Sequence, residues 1–471
     1  MKISKLAIVA AAAGLLCGGQ AFAQQPAGGF YPSLYRPAAD RQVAYEYESY
    51  YAGQPTPAAP EPMSPSDVPP AADYGAATAH DHGNCCEPKC NTCCNERSRL
   101  FGAFLSGSYF WNPDDPIDRF NGPVTFNDRA DELQLNQVYL YLDRAVDTGG
   151  SGWDLGGRVD ALYGTDWRFT PALGFETNQD GTMDWNQDRR FYGMAIPQMY
   201  GQVGFNDLNV KIGRFYTIIG YEVVPANGNF FSTHAYTMQY GEPFTHTGVL
   251  GSYALTEALA LTGGFTRGWD QWEDINNDIS FLGGATWTPS DVFSLAFALS
   301  TGAEDPAGEA NRYIHSIVAS YKIGCNLTYV FQSDIGHQEG AAGFTPGGAD
   351  AEWYGINQYL LYDINDRWSA GARGEWFRDD DGFRVAGFGS PGGDFFGRGW
   401  GGSGFAGNFY EISLGLNWKF RPRVLIRNEV RWDWYDGLPG VSNVPGNGTL
   451  PYDNGSDDDQ FLLGTNVVLS Y

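Results

Sequence analysis

The chain is 471 residues long and carries a formal net charge of −26, which disfavours a nucleic-acid partner because phosphate binding needs a basic face. Aromatic residues make up 15% of it and glycines number 62. Both exceed what a soluble core needs and suit a barrel with aromatic girdles at two membrane interfaces. Beyond the N-terminal leader there is no apolar run of about 18 residues, so no transmembrane helix is expected.

Residues 1–23, MKISKLAIVAAAAGLLCGGQAFA, read as a secretory signal peptide. Lys2 and Lys5 form the basic region, Leu6 to Leu16 the apolar core, and Ala21-Phe22-Ala23 the cleavage signal. A lipoprotein reading at Cys17 is weaker, because Leu15 and Leu16 stand where small residues are wanted. Residues 24–97 form a Pro/Ala-rich segment without periodicity, as in GQPTPAAPEPMSPSDVPPAADYGAA. Such a composition cannot bury enough apolar surface to order itself, so it reads as a disordered periplasmic arm. The arm contains HDHGNCCEPKCNTCC, with Cys85, Cys86, Cys90, Cys93 and Cys94 behind His80 and His82. Cys90-x-x-Cys93 has the spacing of a zinc half-site, and thiolates suit zinc or copper(I). Export into an oxidising compartment favours local or intermolecular disulfides instead. Both chemistries stay open.

From 98 to 471 the chain falls into alternating segments of about ten residues, the length of a membrane-spanning β-strand. Sixteen are expected, near 100–111, 133–144, 153–164, 197–205, 208–215, 246–254, 258–267, 278–287, 292–301, 313–322, 325–334, 353–363, 367–377, 409–419, 423–434 and 460–471. Their connections alternate between short and long. Asn206-Asp207, Leu255-Thr256-Glu257, Ile323-Gly324 and Phe420-Arg421-Pro422 are short, whereas 112–132, 165–196, 216–245, 302–312, 335–352, 378–408 and 435–459 are long and rich in Gly, Pro, Asp and Asn. A soluble sandwich has no reason to keep its tight turns at one end. The faces agree: in 423–434, Val424, Ile426, Val430, Trp432 and Trp434 alternate with Arg423, Arg427, Glu429, Arg431 and Asp433. Charges of that kind cannot line a dry core unpaired but can line a water-filled lumen. The expected fold is therefore all-β, a transmembrane antiparallel up-and-down barrel of about 16 strands with short periplasmic turns and long external loops.

The phrases NQVYLYLDRAVD (136–147) and VKIGRFYTIIGYEVVPANGNFFS (210–232), with the hairpins that run to FLLGTNVVLSY, resemble the putative β-barrel porin-2, or OmpL-like, family over about 100–471. The resemblance implies a bacterial outer-membrane barrel, held in lipid, that conducts small hydrophilic solutes. Known outer-membrane barrels commonly end on an aromatic residue read by the barrel assembly machinery, and Tyr471 fits that signal. Sixteen-stranded porins are usually trimers, which makes a homotrimer the analogous assembly. In them the third external loop folds inward, so Glu222 and Glu242 of 216–245 would present carboxylates at a constriction. Strand phase places Arg158, Asp160, Arg373, Glu375, Arg427, Glu429 and Arg431 on the lumen side, where opposed charges would set a transverse field.

Acidic groups gather in the loops, at Asp270, Glu273, Asp274 and Asp278, at Asp379, Asp380 and Asp381, and at Asp457, Asp458 and Asp459. A negative mouth concentrates cations, so a mild cation preference is expected. Asp184/Asn186/Asp188 and Asp274/Asn276/Asp278 have alternate oxygen ligands, but Arg189 and Ile279 stand where a calcium loop needs glycine, and ordinary solvated acids are favoured. No cofactor and no enzyme activity are expected: Gly-x-Ser-x-Gly and His-Glu-x-x-His are absent from the sequence, and Ser232 near His234 is no triad. Two other readings compete with a general diffusion channel. One is a substrate-specific channel, for oligosaccharides for example, with Trp269, Trp272 and Trp400 stacking sugars. The other is a structural or adhesive envelope barrel that anchors a disulfide-forming or metal-binding arm.

Overall fold

The computed structural model describes residues 101–148, 151–178, 182–186, 191–305, 307–340, 349–385, 405–437 and 450–471. The signal peptide, the Pro/Ala-rich arm, the cysteines at 85–94, Asp188 and Trp400 lie outside the described residues.

Sixteen strands follow one another in chain order: β1 (Phe101–Trp111), β2 (Leu133–Arg144), β3 (Trp153–Gly164), β4 (Gly193–Phe205), β5 (Leu208–Tyr216), β6 (Thr245–Thr256), β7 (Leu259–Thr266) and β8 (Ser280–Ser290). The second half comprises β9 (Phe293–Ala303), β10 (Asn311–Ile323), β11 (Leu327–Gln338), β12 (Ala351–Asn365), β13 (Trp368–Asp379), β14 (Gly407–Arg421), β15 (Val424–Gly437) and β16 (Asp459–Ser470). Each pairs antiparallel with its neighbour, and β1 pairs with β16 from Phe104↔Ser470 to Trp111↔Leu463, which closes the barrel. Closure removes the free edges that a lipid environment cannot satisfy. The long connections at one end are L1 (112–132), L2 (165–192), L3 (217–244), L4 (267–279), L5 (304–310), L6 (339–350), L7 (380–406) and L8 (438–458).

The strands match the expected segments, with differences at their ends. β4 begins at Gly193 rather than 197, because the register shift opposite Asp160 and Leu162 makes room for Pro197 within the strand. A bulge is a place where a strand tolerates a residue without an N–H.

The outer surface carries an apolar band. Leu105, Leu140, Val159, Ile212, Val249, Leu261, Leu414 and Leu463 are all exposed there. Rings crowd both rims of the band. Trp368 stacks on Trp418 at 5.2 Å and Trp287 meets Phe293 at 5.9 Å near the short turns. Tyr410 stacks on Trp434 at 5.1 Å near the long loops. An exposed apolar area of this extent is a lipid contact, and rings with a polar tip prefer its two interfaces.

The expected water-filled lumen differs from what the fold contains. At the loop end the barrel is filled by a core drawn from several loops: Phe120 and Phe126 of L1, Trp167 and Phe169 of L2, Ile219, Tyr236, Met238 and Phe244 of L3, Trp269 of L4 and Phe383 of L7. Wall residues there, such as Leu282, Ser300 and Ile314, are buried beneath them. Toward the short turns, inward residues such as Ser252, Thr262, Thr286, Ser294, Val318 and Ser320 keep partial exposure. The loops fold in because their aromatic side chains gain more from mutual burial than from water, at about 25 cal/mol per Å² of apolar surface. The result is a vestibule open at the short-turn end.

Candidate functional site

L3 enters the barrel, where Gln137 of β2 bonds the Val224 carbonyl and the Ala226 N–H of its outgoing arm at 2.8 and 2.9 Å, and it lies against the inner faces of β11 to β15. It is seated by alternating charges on those strands. Arg427 donates to three carbonyls of L3, those of Ala226 and Asn229 at 2.8 Å and Phe231 at 3.1 Å. Glu429 accepts from the Ser232 N–H and hydroxyl at 2.8 Å and from the Thr233 N–H at 3.1 Å. Arg431 donates to the His234 carbonyl at 2.6 Å, and Glu375 accepts from the N–H groups of Tyr236 and Thr237 at 2.6 Å. L3 has only two short helical turns, Ala226–Gly228 and Thr237–Gly241, so most of its backbone groups must be satisfied elsewhere, and here the wall supplies donor and acceptor in the order the chain presents them.

Arg373 is the centre of this arrangement. It reaches Glu222 at 2.6 Å and Glu411 at 2.9 Å and donates to the Thr233 carbonyl at 2.8 Å. Glu222 also accepts from the Ala235 N–H at 3.0 Å, from the Tyr359 hydroxyl at 3.0 Å and bonds His234 Nδ1 at 2.9 Å. Burial pushes the Glu222 carboxyl up, but Arg373 and then His234 outweigh it and hold the group down at about 2.

Both constriction candidates thus lie in the loop that enters the barrel, but their carboxyl groups face the wall. Glu222 is 4% exposed and Glu242 is fully buried, beside Gln332 of β11. Of the residues expected to line the lumen, Arg373, Glu375, Arg427, Glu429 and Arg431 are inward, yet L3 covers them: Arg373 pairs with Glu222 of L3, Arg431 with Asp433 of its own strand, and the others bond backbone or hydroxyl groups of L3. This corrects the expectation of an open transverse field. Sequence phase identifies which side a charge faces but not what covers it. Arg158 and Asp160 differ. They pair with each other at 2.7 Å on β3, and the Arg158 side chain retains 19% exposure toward the vestibule.

Two mouth acids also differ from expectation. Asp270 is buried and accepts from the Phe244 and Thr245 N–H groups at 3.1 and 2.7 Å, which fixes the end of L3 to L4; burial raises its carboxyl to about 7. Asp379 is buried and accepts from the N–H groups of Phe383, Arg384 and Val385. Glu273, Asp274, Asp278, Asp381 and Asp458 remain exposed. In Asp274/Asn276/Asp278 the side-chain oxygens of Asp274 and Asn276 accept local backbone N–H groups, and the Asn276 amide donates to the Ala303 and Asp305 carbonyls at 3.0 Å. That is turn chemistry. Ser232 and His234 do not meet each other: the hydroxyl goes to Glu429 and the ring to Glu222. Trp269 is buried between Arg312 and Arg384, at 4.9 and 5.3 Å from the ring centre, and so offers no stacking face to a sugar. Trp272 stays partly exposed.

Residues 100–471 match the putative beta-barrel porin-2, OmpL-like family. The chain belongs to that family. It is accordingly an outer-membrane barrel of porin type, and its lipid-facing band and girdles are the matching physical features. No curated protein matches it in sequence. Solved structures that align with this family member include OmpT of Vibrio cholerae, at 11% identity and a TM-score of 0.48 over 79% of this chain and 96% of the other. The outer-membrane channel DcaP of Acinetobacter baumannii aligns at 12% identity and 0.47, over 79% and 96%. The anion-selective porin from Comamonas acidovorans aligns at 11% and 0.48, over 79% and 98%.

Sequence reasoning missed the partners that seat L3. Gln332 and Asp334 of β11 share one phase in FQSDIGHQ, but Ser333 and His337 interrupt the apolar face opposite them, so the signal is weaker than the one that identified Arg373 and Glu375. Gly371 and Gly415 were also missed. A side chain at either would meet Phe230 of L3, whose Cε1 lies 2.4 and 2.9 Å from the two Cβ positions. A strand glycine can mark such a close approach, but nothing in the sequence says by what.

Proposed function

We propose that the protein is a porin for passive diffusion of small hydrophilic solutes with a mild cation preference. The observation that carries the reading is the seating of L3: a loop held inside the barrel by specific bonds to β2 and to β11 through β15 leaves the wall of β6 to β10, lined by Ser252, Thr262, Thr286, Ser294 and Ser320, facing a vestibule. Hydroxyl groups replace water around a polar solute without binding it tightly, which is what a passage requires. The exposed acids of L4, L7 and L8 favour cations at the outer mouth. Because loops fill the outer half, passage depends on the loop core yielding, and conductance should be small and intermittent.

A second reading, a structural envelope barrel, is favoured by that same filled half. Single-channel recording of the purified protein in a planar bilayer, with a salt gradient, separates the two. Discrete steps with a cation-side reversal potential are expected. A correctly folded barrel that stays silent in the bilayer would overturn the porin reading in favour of the structural one.

A further inference from the structure

Glu242 ends the return arm of L3, and its side chain meets Asp334 of β11 inside the wall. Both are buried, at 0% and 1% exposure. Their four carboxyl oxygens share few donors. The Gln332 amide nitrogen donates to Glu242 Oε1 and, at 2.9 Å, to Asp334 Oδ1. The Ser316 hydroxyl donates to Asp334 Oδ1 at 2.6 Å. Glu242 Oε2 and Asp334 Oδ2 are buried with no hydrogen-bond donor among the described residues, and no ion pair reaches either group there. Two ionised carboxylates cannot stand together in such a place, since burying a charge without a partner costs far more than giving it a proton.

We propose that Glu242 and Asp334 hold one proton between them, and that this shared proton latches the return arm of L3 to the barrel wall. Like-charged carboxyl groups in contact commonly share a proton in this way. The groups that face the pair add no compensating charge. Glu222 on the outgoing arm is negative and is already matched by Arg373. From L7, Arg384 donates to the Tyr240 carbonyl, two residues before Glu242. β12 presents Trp353, which donates to the Gly241 carbonyl at 2.9 Å, and the uncharged Asn357. Burial, and then Asp334, raise the Glu242 carboxyl well above its ordinary range.

The latch joins three parts of the molecule. Gly220, on the outgoing arm, has φ +88°, and a Cβ there would lie 2.1 Å from Glu242 Oε2. The carboxyl therefore rests on one arm of L3, belongs to the other, and bonds the wall. Loss of the proton puts two negative charges in contact beside Glu222, and the return arm moves away from β11. The pair carries one negative charge while it shares the proton and two once the proton is lost, so the arm loosens as pH rises.

The test uses the full-length protein, wild type against Glu242→Gln, with Asp334→Asn as a second variant. Gln keeps the shape and stays neutral at every pH. The infrared difference spectrum between wild type and each variant near neutral pH should show a protonated carboxyl band that belongs to wild type, the bands of other buried carboxyls such as Asp270 cancelling in the difference. Hydrogen exchange at the amides of 237–244 should match between wild type and Glu242→Gln near about pH 5 and become severalfold faster in wild type near about pH 9. A difference spectrum without that band, or exchange that stays equal at both pH values, would overturn the proposal. Its consequence for conduction rests on the porin reading: wild-type current should grow with pH while that of Glu242→Gln stays flat. If the porin reading fails, both proteins are silent and the exchange difference remains.

Discussion

A single guanidinium decides how L3 sits. Arg373 neutralises Glu222 from the loop and Glu411 from β14, and all three are buried. Arg373→Met would keep much of the volume but leave two carboxylates without their cation, so we expect a loss of about 3–5 kcal/mol. Denaturant unfolding in detergent micelles measures this, and adding Glu222→Gln to the variant should recover part of it. The same pair makes L3 sensitive to acid. The Glu222 carboxyl sits at about 2 in the folded protein against 4.5 ordinarily, so its contribution is complete above about 4.5 and is lost as pH falls through about 2. The contribution is on the order of 3 kcal/mol. Hydrogen exchange at the amides of 232–236 should accelerate through that acid window in wild type, beyond the intrinsic pH trend, and show no such step in Glu222→Gln.

At the scale of an element, L3 is a strap whose shape is fixed by the wall it lies on. The notch at Gly371 and Gly415 receives Phe230, and neither glycine has a backbone conformation that forbids a side chain. Substitution there acts through crowding alone. Gly371→Val should leave the strands paired but displace the tip of L3, at a cost of about 1–3 kcal/mol, with faster exchange at 229–233. Gly374→Val is the control, because a Cβ at Gly374 meets nothing within 4 Å. If both substitutions act alike, the notch is not what holds the tip.

The strands were legible because period-two alternation and turn residues are local signals, and they fix which side Arg427 or Trp432 faces. The seating of L3 was not legible. An inward arginine reads the same whether water or a carbonyl meets it, and the partner of Glu429 lies almost 200 positions away at Ser232. Trp269 and Asp270 read as exposed loop residues for the same reason: their burial depends on L3, L4 and L7 arriving together.

For the whole molecule, lipid lies on one side of the wall and the vestibule on the other, and a charge should cost differently on each. Leu414 lies midway along β14 on the exposed outer face, whereas Thr262 of β7 faces inward and is partly accessible. An arginine at Leu414 must sit at bilayer depth, at a cost of about 2–4 kcal/mol. An arginine at Thr262 keeps its charge in water and adds a cation to the vestibule wall. Leu414→Arg should therefore lower the folded fraction, read from the shift in electrophoretic mobility of unheated samples, with little change in the selectivity of those barrels that do fold. Thr262→Arg should fold normally and move the reversal potential toward anions, because a fixed positive charge in a confined aqueous space repels cations within a Debye length, about 8–10 Å at physiological salt. The opposite pattern, with Leu414→Arg tolerated and Thr262→Arg unfolded, would mean that the faces have been assigned the wrong way round. Equal tolerance of both would mean that the apolar band does not meet lipid.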